Sequence, residues 1–328
     1  MEQRPLGRTG LSVSALGYGA GNVGGLMVRG THEQQVAAVR RALDAGITYF
    51  DTAPLYGNGL SEQHLGAVLT ELGAWGQVRV GTKVRLSGDD LRDPAAAVRR
   101  SITESLRRLG RDSVDLLQLH NTVRATTDPA NPGIGGDDLA AAADAIGAVV
   151  REGLAEHAGF TGVGETQPLH AAASSGRFET MQSYFNAINP SAGHAGASGG
   201  AQDQAGVIDV AAKAGLGVIA IRVMAGGAMT GSDVRAPLAS PGLGPALVPG
   251  NTMEYDVASA AARDALAREL GLESALELSL RLVISHPGVS TALVGYSDME
   301  QLESAIHWAE RGPLSEDQVR RVVEVAKT

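Results

Sequence analysis

Apolar positions along this chain keep two alternating rhythms. Over 34–43, Val36, Val39 and Leu43 fall three and four residues apart, the spacing of one helix face, and Thr31 stands before them as an N-cap. Directly after comes Ile47-Thr48-Tyr49-Phe50-Asp51, a short β-branched and aromatic strand. The alternation then repeats. A helix is expected over 61–72 with Ser61 as N-cap, then a strand over 78–84. Pro94 suits the first turn of a helix over 94–109. Strands are expected at 114–120, 155–161, 180–184, 217–222 and 289–294, with helices at 139–151, 168–174, 207–214, 257–270, 274–285 and 299–309 between and after them.

A further short strand over 13–16 brings the count to about eight β-then-α units, the repeat of a (β/α)8 TIM barrel. The fold expected is therefore α/β, a closed parallel barrel forming one domain over 1–328. An open doubly wound sheet is the runner-up. Residues 6–13 place a Gly-bearing turn between apolar flanks and read as a hairpin ahead of the barrel. Residues 315–326 read as a last helix capped by Ser315, which leaves extra helices at the C-terminal end. Gly/Pro/Ser-rich stretches at 122–138, 190–204 and 225–250 are expected as loops over the barrel mouth.

Polar residues gather at the predicted strand ends. Asp51 ends the second strand, Lys83 ends the third, His120 ends the fourth, and Tyr56 follows Asp51 in the next loop. All lie at the face where barrel active sites form. Singly, each reads as a structural residue: a turn Asp, a packing Tyr, a solvated Lys, a satisfied His. Jointly they make chemical sense. A phenol is a weak acid, with a pKa near ~10. An adjacent ammonium lowers that value, a carboxylate keeps the ammonium charged, and an imidazole polarises a carbonyl. Such a set protonates a forming alkoxide but carries no hydride, so a nicotinamide cofactor is implied.

The segment Gly17-Tyr18-Gly19-Ala20-Gly21 imitates a dinucleotide fingerprint. That fingerprint needs a helix directly after its first glycines, and the helical pattern here begins only after Thr31. It reads instead as a flexible first βα loop, with Gly19 and Ala20 letting backbone approach a cofactor.

Composition narrows the classes. Of 328 residues, 44% are hydrophobic and 4% aromatic, so the core rests on aliphatic residues. The formal net charge of −9, with no long basic run, argues against nucleic acid and anionic membranes as partners. No cysteine is present, which removes disulfides, thiolate nucleophiles and Cys-ligated metals, and no metal site is expected. Neither a leader segment nor a membrane-spanning run is visible, and a cytoplasmic protein is expected. A homo-oligomer is compatible with the sequence.

The chain resembles the aldo-keto reductases. The likeness rests on residues 6–14, on Asp44 through Gly57 with its Asp51-Thr52-Ala53-Pro54-Leu55-Tyr56-Gly57 motif, on Gly81-Thr82-Lys83 and on Leu116-Leu117-Gln118-Leu119-His120. The resemblance implies a barrel with an N-terminal hairpin over its bottom and a nicotinamide dinucleotide extended along the strand ends. It implies Tyr56 as general acid/base, Lys83 and Asp51 as its tuning pair, and His120 as the group that orients the carbonyl. Gln182 takes the nicotinamide carboxamide and Thr161 keeps one hydroxyl contact. Arg222, Val223, Met224, Ala225 and Gly226 correspond to a pyrophosphate strap, while Gly295, Ser297 and Gln301 correspond to the adenosine end. Asp51 borders the cofactor as well.

The chain departs from the family pattern at several points. Gly162 stands where an Asn often follows the fifth strand, Ile221 stands at an aromatic stacking position, and Ser304-Ala305 replaces Glu-Asn. NADP(H) is favoured over NAD(H) as the commoner family choice, although no Arg or Lys lies between Gly295 and Gln301. The expected activity is reduction of a small-molecule carbonyl, an aldehyde or ketone, to the alcohol, or the reverse. The alternative is a regulatory subunit that holds the dinucleotide without turnover. The sparsely charged loops favour a neutral substrate; Phe185, Met224 and Met253 are pocket-wall candidates, but core packing is the expected role for each.

Overall fold

The computed structural model describes residues 1–128, 133–241 and 252–327. A hairpin opens the chain, β1 (Gln3–Pro5) pairing antiparallel with β2 (Ser12–Ser14). Then follow β3 (Leu16–Gly19), α1 (Leu26–Arg29), α2 (His32–Asp44), β4 (Tyr49–Asp51), α3 (Leu60–Glu71), β5 (Arg79–Val84), α4 (Pro94–Leu109) and β6 (Val114–Leu119). The short strands β7 (Thr122–Val123) and β8 (Gly133–Ile134) pair beside the mouth. After them come α5 (Gly136–Arg151), β9 (Ala155–Gly162), α6 (Thr166–Ser174), β10 (Thr180–Tyr184), α7 (Val207–Lys213), β11 (Gly217–Ile221), α8 (Met253–Glu269), α9 (Ala275–Ser285), β12 (Val289–Gly295), α10 (Met299–Glu310) and α11 (Glu316–Val325). Eight strands close in the order β3-β4-β5-β6-β9-β10-β11-β12, each parallel to its neighbours, so the (β/α)8 expectation is met. Among the described residues no helix is long and apolar enough to cross a membrane.

The helices form where the sequence supplies caps. Thr31 Oγ1 accepts from Gln34 N at 3.3 Å, and the Gln34 side chain accepts from Thr31 N at 2.9 Å, a reciprocal capping box. Ser315 and Gln318 repeat it on α11. On α4, Asp93 caps Ala96 N and Pro94 fills the first turn. Helix α3 departs from expectation. It starts at Leu60 behind Gly59, whose φ is 89°, and Ser61 lies one residue inside. The Ser61 hydroxyl is used otherwise: it donates to Ala20 O and shares a hydrogen bond with Thr52 Oγ1, each at 2.8 Å. It thus ties together the loops leaving β3 and β4.

The first barrel strand is also displaced from its expected place. Residues 12–14 belong to the hairpin, and the barrel strand is Leu16-Gly17-Tyr18-Gly19. Glycines disguise it as a loop. At Gly17 a Cβ would sit 3.0 Å from Thr291 Oγ1 and 3.2 Å from the Tyr49 ring, so the bare backbone admits a close neighbour. The short helix α1 went unforeseen because its four residues are too few to show a period.

Leu6 and Val13 of the hairpin join Tyr49, Leu116 and Ile219 in a fully buried cluster that floors the barrel. The hairpin is seated by backbone contact. Gly7 has φ 57° and bridges Leu216, and Arg8 donates to Phe178 O at 2.8 Å. A Cβ at Gly7 would fall 2.1 Å from Gly217 N. The substitution Gly7→Ala should therefore cost about 2 kcal/mol or more, from left-handed strain plus forced movement of β11. A denaturant titration reads this directly, and an unchanged midpoint would contradict the seating of the hairpin.

Candidate active site

Side chains alternate across each strand, so residues two apart share the barrel interior. On β4, Tyr49 and Asp51 point inward; on β5, Lys83 does; on β6, Leu116 and Gln118 do. The result is a layered interior. Tyr49 and Leu116 belong to the apolar floor, and a polar layer lies above.

Asp51 is 2% exposed and Lys83 1%. One Asp51 oxygen takes the Lys83 ammonium. The other accepts from Gln182 Nε2 at 2.7 Å and from Gln118 Nε2 and the Tyr49 hydroxyl at 3.1 Å each. Lys83 Nζ also donates to Thr52 O at 2.8 Å. Burial disfavours the ammonium, yet Asp51 and Tyr56 together outweigh that and lift Lys83 above its ordinary value. The lysine is a fixed positive charge.

Tyr56 lies over this pair. Its ring centre is 4.7 Å from Lys83 Nζ and 5.9 Å from the His120 ring, edge to face. Its loop is pinned by Asn22, which accepts from Gly57 N at 2.8 Å and donates to Leu55 O at 3.3 Å, one contact on each side of the tyrosine. Burial pushes the phenol up, Lys83 pulls it down, and the net shift is upward, so Tyr56 holds its proton at neutral pH. His120 follows β6, with its backbone N–H on Val84 O at 2.7 Å. Burial, aided by the charges of Lys83 and Arg85, pushes its imidazole down to about 3. It is a neutral hydrogen-bonding group.

A cleft of about 790 Å3 runs from Tyr56 and His120, past the ends of β11 and β12, to the start of α10. Asp51 borders it, and Lys83 lies behind Tyr56. Of the proposed cofactor residues, Gly19, Thr161, Gln182, Arg222, Val223, Met224, Gly226, Gly295, Ser297 and Gln301 line the cleft. Ala20 and Ala225 do not. Ala20 is buried, with its N–H on Asp51 O and its carbonyl taking Ser61. Ala225 is buried in the turn after β11. Ser304, Ala305 and Met224 border the cleft, whereas Phe185 packs against His194 and His286 in the interior. The Met253 side chain, residue 251, and residues 129–132 and 242–250 of the expected mouth loops lie outside the described residues.

Sequence reasoning missed Tyr49, Gln118 and Asn22. The first two left a signal. Gln118 is a polar residue inside an apolar strand, and Tyr49 sits two residues before Asp51 on the same face. Asn22 left none, because its role depends on a loop-to-loop contact.

The arrangement can move a proton at Tyr56 beside a buried positive charge while a neutral imidazole donates to the same oxygen. It predicts that His120 stays neutral at pH 5. Imidazole 15N shifts of labelled protein measure this, and protonation between pH 6 and 7 would contradict it.

Comparison with known proteins agrees with this architecture. The sequence profile of the Aldo/keto reductase family matches residues 15–327. A D-threo-aldose 1-dehydrogenase from Pseudomonas sp is 39% identical over 174 residues, 46% of this chain and 50% of that protein. An L-galactose dehydrogenase from Arabidopsis thaliana is 43% identical over 122 residues, 37% of this chain and 38% of that protein. The chain thus spans half the length or less of these curated relatives. An aldo-keto reductase from Klebsiella pneumoniae, solved in complex with NADPH, superposes with a TM-score of 0.71 at 20% identity, covering 100% of this chain and 96% of the other.

Proposed function

The chain belongs to the aldo/keto reductase family, a family of oxidoreductases, and we propose that it reduces a small aldehyde or ketone to the alcohol, or runs the reverse, with Tyr56 as the acid/base. The observation that carries this reading is the stack of Tyr56 on a buried, carboxylate-held Lys83, with His120 at its edge. The dehydrogenase names of the curated relatives agree with chemistry at a CH–OH carbon.

A nicotinamide dinucleotide supplies hydride when bound, which none of these side chains can do. The cleft suits such a group. Its volume falls within the usual range for ligand sites, roughly 300–1,000 Å3. Its wall is glycine-rich at Gly226, Gly227 and Gly295, and the buried Thr161 hydroxyl on it has no partner among the described residues. Gln182 gives its amide nitrogen to Asp51, which leaves its carbonyl oxygen to accept from a ligand amide. Arg222 is the cation at the end of β11, turned there by a backbone φ of 56°.

In the reduction direction the substrate carbonyl accepts from Tyr56 and from neutral His120. As carbon receives hydride, negative charge grows on that oxygen. Tyr56 then releases its proton to it, and the charge passes to the phenolate, where Lys83 offsets it. Asp51 keeps Lys83 charged, and Gln118, Gln182 and Tyr49 hold Asp51 in place. In oxidation the same groups act in reverse, with Tyr56 as the base. The four donors gathered on Asp51 favour turnover over a subunit that only holds the dinucleotide.

Replacing Tyr56 by Phe removes the proton and keeps the ring. Carbonyl reduction should fall by roughly 10²–10⁴-fold, the usual worth of a general acid, while dinucleotide affinity changes little. Steady-state assays on a panel of aldehydes and ketones, alongside cofactor titrations, measure both. Equal turnover by wild type and Tyr56→Phe would overturn the assignment.

A further inference from the structure

We infer that the far end of the cleft selects the dinucleotide without a 2′-phosphate, NAD(H), and that Asp298 sets this preference. The inference rests on the proposed dinucleotide. With the reacting ring at Tyr56 and His120, the cleft extends past the ends of β11 and β12 to the first turn of α10 and there offers room for the rest of an extended dinucleotide.

Asp298 is fixed at that end. As the N-cap of α10 it accepts from Gln301 N at 2.9 Å and from Gln301 Nε2 at 3.2 Å, and Gln301 Oε1 accepts from Ser297 N at 2.9 Å. The closed ring of contacts holds a half-exposed carboxylate on the cleft wall. Glu300 lines the cleft in the same turn and adds a second negative charge. No Lys or Arg occurs between Gly295 and Ala305.

The cations elsewhere on the wall stand away from this end or are held by backbone carbonyls. Among the described residues lining the cleft they are Arg222, at the Tyr56 end, and Arg235, which donates to Gly226 O at 3.1 Å and Ser240 O at 3.3 Å. Arg29, nearby, donates to Leu238 O and Asn22 O. Residues 129–132 and 242–251 contain no charged side chain.

A ribose diol donates hydrogen bonds to a carboxylate, whereas a 2′-phosphate brings about −1.5 to −2 charges against it. Acidic residues at a ribose read the free hydroxyl, and an arginine accommodates the phosphate. The helix N-terminus, which would otherwise welcome a phosphate, is already filled by the Asp298 side chain. The family resemblance favoured NADP(H); the charges at this end favour NAD(H).

The test is a fluorescence titration with NADH and NADPH, read by quenching of Trp308, which lines the cleft. The wild type should bind NADH roughly ten- to hundredfold more tightly, with the margin shrinking as salt screens the carboxylates. Asp298→Ser keeps a capping hydroxyl and removes the charge. It should narrow the margin at least about threefold, mainly by tightening NADPH, and Glu300→Gln should narrow it further. NADPH bound as tightly as NADH by the wild type would overturn the inference. So would a margin untouched in Asp298→Ser/Glu300→Gln. Binding of neither dinucleotide would sink the proposed function and this inference with it, whereas equal binding of both would sink only the inference.

Discussion

Lys83 and Asp51 share the barrel interior with almost no access to water. Two charges so placed are costly unless every remaining donor and acceptor is met. Here they are met. The carboxylate takes the ammonium and three further donors, and the ammonium reaches Thr52 O as well. Removing one partner from such a pair costs on the order of 3–5 kcal/mol, because the other charge is left stranded. The pair is therefore a demand placed on the fold. β4, β5, β6 and β10 must each present one particular side chain at one height in the barrel.

That demand explains the order of layers. Below the pair, Leu6 and Val13 of the hairpin close the interior against Tyr49, Leu116 and Ile219 and keep water from entering beneath. Tyr49 belongs to both layers, its ring in the floor and its hydroxyl on Asp51. Above the pair lies Tyr56, positioned from outside the barrel by Asn22. The same low-polarity surroundings that hold the Tyr56 proton also keep His120 neutral, so each group keeps an N–H or O–H to donate at the cleft. One electrostatic arrangement thus bears on the protonation of Tyr56, Lys83 and His120 together.

Much of this was legible in the sequence. Helices with caps and clear periods, such as α2, α4 and α11, fall within a few residues of their expected spans. Strand ends could be found because polar residues break apolar runs, and that placed Asp51, Lys83 and His120 together. Three kinds of information stayed hidden. Gly17 and Gly19 hide β3, because close packing against Thr291 and Tyr49 decides there and propensity does not. Ser61 looks like a cap but serves two neighbouring loops, a contact across 41 residues for Ala20. Gln182 was assigned to a ligand from resemblance, yet its amide nitrogen is held by Asp51, a partner 131 residues away. Local pattern carries elements and caps; it does not carry contacts between distant strands.

The central claim is that Lys83, held charged by Asp51, sets the acidity of Tyr56. The most direct measurement is the pH profile of carbonyl reduction by Lys83→Met beside the wild type, at saturating dinucleotide. Lys83 lowers the phenol against the upward push of burial, so losing it leaves Tyr56 a weaker acid. The account predicts a rate lower by roughly 10²-fold or more, with the alkaline fall of the profile displaced to higher pH, while dinucleotide still binds. A variant with the wild-type rate and an unmoved profile would contradict it.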